Sequence, residues 1–235
     1  NNAGGKPSNT GQNRKHLVEA CDQALQRMNL DYLDLFFCHR PDPETPLEET
    51  VRTMNELIRR GKIFYWGTSE FSQADLMEMH AIADRLGMVG PLMEQTGYNM
   101  LGRGRMEKQL LPLFERYGMG STVYSPLCSG MLTGKYNDGE ITEGTRLEKH
   151  DWLKSRLTDE VVAKLQKLGQ VADDLGVPQA DLALAWVLKN PNVSTAIMGA
   201  TSVDQLQQNL KAVDVVEKLD DDVMERIEDI LDNKR

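Results

Sequence analysis

Residues 61–72 read Gly-Lys-Ile-Phe-Tyr-Trp-Gly-Thr-Ser-Glu-Phe-Ser. Ile63 to Trp66 is a short β-branched and aromatic run of the kind that forms a buried strand. It gives way to polar Gly67-Thr68-Ser69-Glu70. Ser72 then stands as a helix cap, with Asp75 three residues on to complete a capping box. A strand with a polar tip that feeds a capped helix is one half of a βαβ unit.

The same unit recurs in both directions. Upstream, Leu17, Cys21, Ala24, Leu25 and Met28 fall at helical spacing. Tyr32 to Cys38 predicts a strand buried on both faces, broken by Pro41 and Pro43. Pro46 opens a helix with Val51, Met54 and Ile58 on one face, and Gly61 closes it. Downstream, the helix after Ser72 carries Leu76, Met79, Ala83 and Leu86 and stops at Gly87. Val89–Gln95 predicts a third strand, Met106–Tyr117 a helix ended by Gly118, and Thr122–Tyr124 a fourth strand. A long segment from Leu127 to about Leu157 carries glycines and charges, as functional lids do. Helices are expected over Thr158–Leu175 and Pro178–Lys189, and a fifth strand over Ser194–Gly199. A helix capped by Ser202 and an amphipathic one over Asp220–Leu231 complete the pattern. The first 13 residues, rich in Gly, Asn, Pro and Ser, read as a loop.

Strands alternating with helices mean a parallel α/β sheet. Five such strands fit an open doubly wound sheet or part of a closed barrel. No GxGxxG follows a strand, and Gly102-Arg103-Gly104-Arg105 has the wrong spacing, which disfavours an ordinary dinucleotide fingerprint.

Composition narrows the function classes. The chain has 235 residues, 40% of them apolar, which suits one large domain. A formal charge of −9 and the lack of a basic stripe argue against nucleic acid. The apolar runs are too short for the ~20 residues of a membrane span, and Asn1 to Gly5 lacks a signal layout. Cys21, Cys38 and Cys128 have no metal-type spacing and read as buried small hydrophobes in a reducing compartment. No metal site is expected. His16, His80 and His150 read as solvated, and the 12 methionines as core filling.

The predicted strand tips hold the candidate chemistry: His39-Arg40-Pro41-Asp42, Gly67 to Glu70, Glu94-Gln95-Thr96, Tyr124 to Leu127, and Gly199 to Ser202. In parallel α/β folds, sites gather at those C-terminal strand ends.

Several segments carry a family resemblance. They are Arg40-Pro41-Asp42-Pro43 with Glu48-Glu49-Thr50-Val51-Arg52, Tyr65-Trp66-Gly67-Thr68-Ser69, Glu94-Gln95, Ser125-Pro126-Leu127 with Gly134-Lys135-Tyr136, and Gly199-Ala200 with Gln205-Leu206 and Asn209. Together, and in this order, the sequence resembles the aldo-keto reductases, and among them the β-subunits of voltage-gated potassium channels. The resemblance implies an α/β (β/α)8 TIM-type barrel with about five of its eight strands present. It implies one NADP-dependent oxidoreductase domain over residues 1–235, lacking the first three strands.

It further implies NADPH/NADP+ as cofactor. Ser69 and Gln95 match contacts to the nicotinamide carboxamide, and Tyr124 matches the aromatic that stacks on the nicotinamide ring, where the channel subunits usually have Trp. Ser125, Leu127 and Lys135 match contacts to the pyrophosphate, and Arg146 a further contact in the long loop. Gly199, Thr201, Gln205, Gln208 and Asn209 match the adenosine-phosphate end. His39 falls where catalytic members place their active-site His and channel subunits typically have Asn. The other members of the family's tetrad, an Asp, a Tyr and a Lys, match nothing here and are expected ahead of Asn1. Glu70 stands where the channel subunits usually have Arg.

Three functions follow as expectations. The first is NADPH-dependent reduction of aldehydes or ketones by hydride transfer. The second is a regulatory potassium-channel β-subunit that binds NADPH as a redox sensor, with a channel α-subunit and a homotetramer as partners. The third is an incomplete barrel that does not catalyse. A cytoplasmic location is expected, with neither nucleic acid nor membrane insertion.

Overall fold

The computed structural model describes residues 10–233. The predicted N-terminal loop lies outside these up to position 9, and residues 10–13 form a turn. The chain forms two compact units. One runs up to Thr96 and includes Gln109–Ser121; the other holds Gly97–Lys108 and Thr122 onward.

The first unit begins with α1 (Arg14–Met28), capped by Asn13, whose side chain accepts from the His16 N–H. β1 (Leu33–Cys38), α2 (Leu47–Arg59), β2 (Ile63–Ser69), α3 (Gln73–Leu86) and β3 (Met93–Gly97) follow. The strands run parallel in the order β1-β2-β3, with Phe37 opposite Gly67 and Ser69 opposite Gln95. The capping box forms as the spacing predicted: Ser72 accepts from the Asp75 N–H and Asp75 from that of Ser72. The core holds Val51, Met54, Leu57, Trp66, Leu76 and Met79. Leu57, not Ile58, is the fully buried residue of that helical turn. Burying one such side chain contributes about 1.5–3 kcal/mol.

Two expectations for this unit are corrected. β1 is not buried on both faces: Leu35 is 45% exposed. His80 is not solvated but 7% exposed, its ring stacked on Tyr117 at 3.8 Å. Helical periodicity places position 80 on the same face as Leu76 and Ala83, which outweighs its polarity.

Burial holds the His80 imidazole below its ordinary pKa, against an opposing pull from Asp84. The unfolded chain therefore binds the proton more readily than the folded one. Stability from this group is intact above the ordinary histidine value and is lost as pH falls below it. The His80→Gln variant should show a shallower drop in unfolding midpoint than wild type between about pH 7 and pH 5. Equal slopes in thermal melts would refute this.

Between Arg105 and Leu110 the chain forms a π-helical stretch before α4 (Leu111–Tyr117). The predicted single helix is interrupted because Pro112 has no N–H for the α ladder. Gly118 then closes it with φ +64°.

The second unit holds the end of β4 (Gly120–Tyr124), a 3₁₀ turn at Cys128–Thr133, α5 (Asp151–Lys154), α6 (Asp159–Leu175) and α7 (Gln179–Lys189). β5 follows, then α8 (Val203–Leu210), α9 (Ala212–Val215) and α10 (Asp221–Leu231). β4 and β5 pair in parallel, Thr122 with Thr195 and Val123 with Ala196. β5 itself covers only Thr195–Ala196, shorter than the predicted Ser194–Gly199. All but Gln179 and Asp181 of the buried residues on α7 are apolar, Trp186 among them. Cys21, Cys38 and Cys128 are all free and buried, in line with their reading as small hydrophobes.

Arg103, in the second unit, is 7% exposed. It bonds Glu107 at 2.8 Å and Glu228 at 2.6 Å, and its guanidinium lies 4.8 Å from the Trp186 ring centroid. Tyr98 stacks on the same Trp186 and donates to Glu107 at 2.7 Å. Among the described residues no helix is long and apolar enough to cross a membrane.

Candidate cofactor cavity

In the second unit the polypeptide leaving β4 turns sharply at Ser125, with φ +55°. Cys128 (φ +48°) and Ser129 (φ +59°) also adopt the left-handed region. Non-glycine residues there cost on the order of 1–3 kcal/mol each, a strain that collects at binding sites. Asn99 steadies this turn. Its Nδ2 donates to the Ser125 carbonyl at 3.1 Å, and its Oδ1 accepts from the Leu101 and Gly102 N–H groups.

This turn walls a cavity of about 780 Å³, within the size range of small-molecule sites. Every expected cofactor contact from Tyr124 onward lines it. Tyr124 and Ser125 come from the end of β4, Leu127 from the turn, and Lys135 and Arg146 from the long loop. Gly199 and Thr201 follow β5, while Gln205, Gln208 and Asn209 share one face of α8. The Tyr124 ring packs on Gly97, where an added Cβ would meet it at 3.3 Å.

The cavity's polarity is built in. Ser202 caps α8 by accepting from the Gln205 N–H, so the helix's free N–H groups and positive dipole end lie by residues 201–203. Lys135 and Arg146 add two exposed cations. The Lys135 ammonium lies 5.0 Å from the Tyr136 ring centroid, and neither cation is in an ion pair among the described residues. Thr201 donates through its N–H and its hydroxyl to Gln205 Oε1, at 2.9 and 3.0 Å. Asp181, on α7, is 2% exposed and accepts from Gln208 Nε2 at 2.5 Å. Burial pushes its carboxyl above the usual range, opposed by that hydrogen bond and by Lys211.

The other expected residues belong to the first unit. Ser69 is buried, and its hydroxyl accepts from Arg40 Nη1 at 2.9 Å. Gln95 is its register partner and is half-buried, and the Gln95 carbonyl accepts from the Glu70 N–H at 3.2 Å. His39 follows β1 and is exposed. Its backbone carbonyl accepts from Arg40 Nη1 at 2.6 Å. It lines a second cavity of about 840 Å³ with Gln12, His16 and Asp42. Burial, then the Arg40 charge, holds its imidazole below the usual value, which favours the neutral form. Asp42 fixes the loop after His39. Burial pushes its carboxyl up, but hydrogen bonds from Thr45, Gln12 and Glu44 outweigh it and hold it below the usual range.

The family model described as "Aldo/keto reductase family" matches residues 3–232. The chain belongs to the aldo/keto reductase family. Its fold is that of an aldo-keto reductase domain, α/β with parallel strands, consistent with a partial (β/α)8 barrel. A protein of Arabidopsis thaliana described as "Probable voltage-gated potassium channel subunit beta" is 48% identical over 231 residues, 97% of this chain and 70% of its own length. A protein of Oryza sativa subsp. japonica with the same description is 46% identical over the same spans.

Sequence reading missed two supporting residues of this aldo-keto reductase domain, Asn99 under Ser125 and Asp181 behind Gln208, and it gave Arg40 no role against Ser69. No local motif marks them, because each partner lies 26 or more positions away.

Proposed function

We propose that this protein binds NADPH and acts as an oxidoreductase that reduces aldehydes or ketones to alcohols. The observation that carries this reading is the 780 Å³ cavity, which gathers two cations, a helix N-terminus and an aromatic ring in one unit. That donor set fits a dinucleotide. Lys135, Arg146 and the first N–H groups of α8 suit its phosphates. Tyr124 suits a flat heteroaromatic ring, and Gln205, Gln208 and Asn209 suit the adenosine end. When bound, the cofactor supplies the hydride.

The chain's own residues do the rest. Tyr124, held against Gly97, covers one face of a ring and leaves the other open. Lys135 and Arg146 neutralise phosphate charge and restrain the long loop. The resemblance assigns His39 the hydrogen bond that orients a carbonyl oxygen, a bond an imidazole N–H can donate. Arg40 holds the His39 carbonyl and the Ser69 hydroxyl, and the resemblance assigns Ser69 and Gln95 to the carboxamide.

Lys135→Met and Arg146→Met should each weaken NADPH binding about tenfold at low salt, with a shallower salt dependence than wild type. Titration of nicotinamide fluorescence reads this directly. Affinities unchanged in both variants would sink the cavity assignment. Loss of NADPH absorbance with a simple aldehyde tests the reduction itself.

The descriptions of the two relatives favour a second reading, a potassium-channel β-subunit. The resemblance adds to that reading NADPH binding as a redox sensor and a homotetramer on a channel α-subunit. Tight NADPH retention without turnover, with co-purification of a channel α-subunit, would favour it. A thermal transition that NADPH does not raise would favour the third expectation, a barrel piece that neither binds nor catalyses.

A further inference from the structure

Two glutamines on the cavity-facing side of α8 have partners that leave no choice of amide orientation. Gln205 faces the Thr201 N–H, which can only donate, so Gln205 must present Oε1 to it. Its amino end is what remains for a ligand. Gln208 faces the buried carboxylate of Asp181, which accepts, so Gln208 must present Nε2. Its carbonyl oxygen is the end turned away from Asp181. Both glutamines line the cavity, three residues apart on one helical face. The wall therefore offers a donor at position 205 and an acceptor at position 208.

Asp181 stands in the first turn of α7, where the helix dipole and Lys211 favour a carboxylate, yet its surroundings are apolar. It lies on α7 among Leu182, Ala183, Leu184 and Ala185, all buried. Its Oδ1 is buried with no hydrogen-bond partner. A carboxylate kept there at a desolvation cost is explained if its hydrogen bond to Gln208 has a use.

We infer that Asp181 is a positioning residue that locks the Gln208 amide as an acceptor, so that α8 selects a ligand edge bearing a hydrogen-bond donor beside an acceptor. This rests on the dinucleotide reading above and adds its polarity code. Such an edge exists on the amino-bearing side of adenine and at a ribose hydroxyl. In either case the ligand donor meets Gln208. With asparagine at 181, the Nδ2 group could donate to Gln208 Oε1 and turn the amide over. The acceptor would then become a donor, and selectivity would collapse.

The test is direct binding of three probes to wild type and Asp181→Asn: NADPH, its hypoxanthine analogue and its 3′-deoxyadenosine analogue. The hypoxanthine analogue replaces the amino donor by a carbonyl, and the deoxy analogue deletes the hydroxyl. Wild type should bind one of the two analogues about tenfold more weakly than NADPH, the scale of one lost hydrogen bond. Which analogue suffers names the source of the donor. In Asp181→Asn that deficit should shrink to about threefold or less, a change in ratio that loss of packing alone would not produce. A ratio unchanged in the variant, or no deficit for either analogue in wild type, overturns the inference while leaving NADPH binding standing. Failure of wild type to bind NADPH overturns both. Should the variant not fold, the Gln208 side-chain amide resonance in wild type decides. A slowly exchanging, downfield-shifted Nε2–H supports the lock, and a rapidly exchanging one refutes it.

Discussion

Replacing Arg103 with alanine lowers the unfolding free energy by about 3–5 kcal/mol, measured by urea or thermal denaturation. Three losses combine. Glu107 and Glu228 have side chains 23% and 18% exposed, and both would lose their cationic partner. The contact with the Trp186 face also disappears, worth about 0.5–2 kcal/mol depending on desolvation. The Tyr98 hydroxyl, which donates to Glu107 and accepts from Asn190, would be left beside an unneutralised carboxylate. Arg103→Lys should recover only part of the loss, because one ammonium cannot bridge two carboxylates as the planar guanidinium fork does. A combined replacement of Arg103, Glu107 and Glu228 by apolar residues of similar volume should fall much closer to wild type. That contrast separates the cost of orphaned charges from a net gain in pairing. A loss below about 1 kcal/mol in Arg103→Ala would show that water already reaches the cluster.

Gly67→Ala is expected to cost about 3 kcal/mol or more. A methyl group at 67 would lie 2.4 Å from the backbone carbonyl oxygen of Met93, its register partner on β3. The Met93 side chain, also within 2.6 Å, could swing aside. The carbonyl cannot, because strand pairing fixes it. Relief would therefore require β2 and β3 to separate where the Ser69 and Gln95 tips begin. Gly104→Ala is the matched control: nothing lies within 4 Å of its added Cβ, so it should be neutral or slightly stabilising. Equal melting temperatures for the Gly67 and Gly104 variants would refute the close-packing account.

Much of this architecture is legible along the chain because its signals are local. The Ser72–Asp75 box, the closing glycines at 61, 87 and 118, and the 3.6-residue spacing of Leu17, Cys21 and Leu25 need no distant partner. What sequence could not show depends on neighbours. The exposure of Leu35 depends on what packs against that face of β1. The stacking partner of His80 is Tyr117, 37 positions on and delivered by a different helix. The brevity of β5 reflects a register that pairs only Thr195 and Ala196 with β4. The expected contacts along α8 were readable as a family pattern. Their amide orientations were not, since Thr201 and Asp181 decide them through hydrogen bonds that only the folded chain displays.

The left-handed turn after β4 sets a limit on how this chain can vary over generations. Ser125, Cys128 and Ser129 each occupy a conformation in which a branched β-carbon collides with the peptide unit that follows. Valine, isoleucine and threonine are barred there whatever the cavity holds. Glycine, asparagine and aspartate remain the open exits. Drift at these positions is thus filtered first by backbone shape and only then by ligand chemistry. A lineage that abandoned its ligand would still keep small or amide-bearing residues at this corner for as long as it kept the fold.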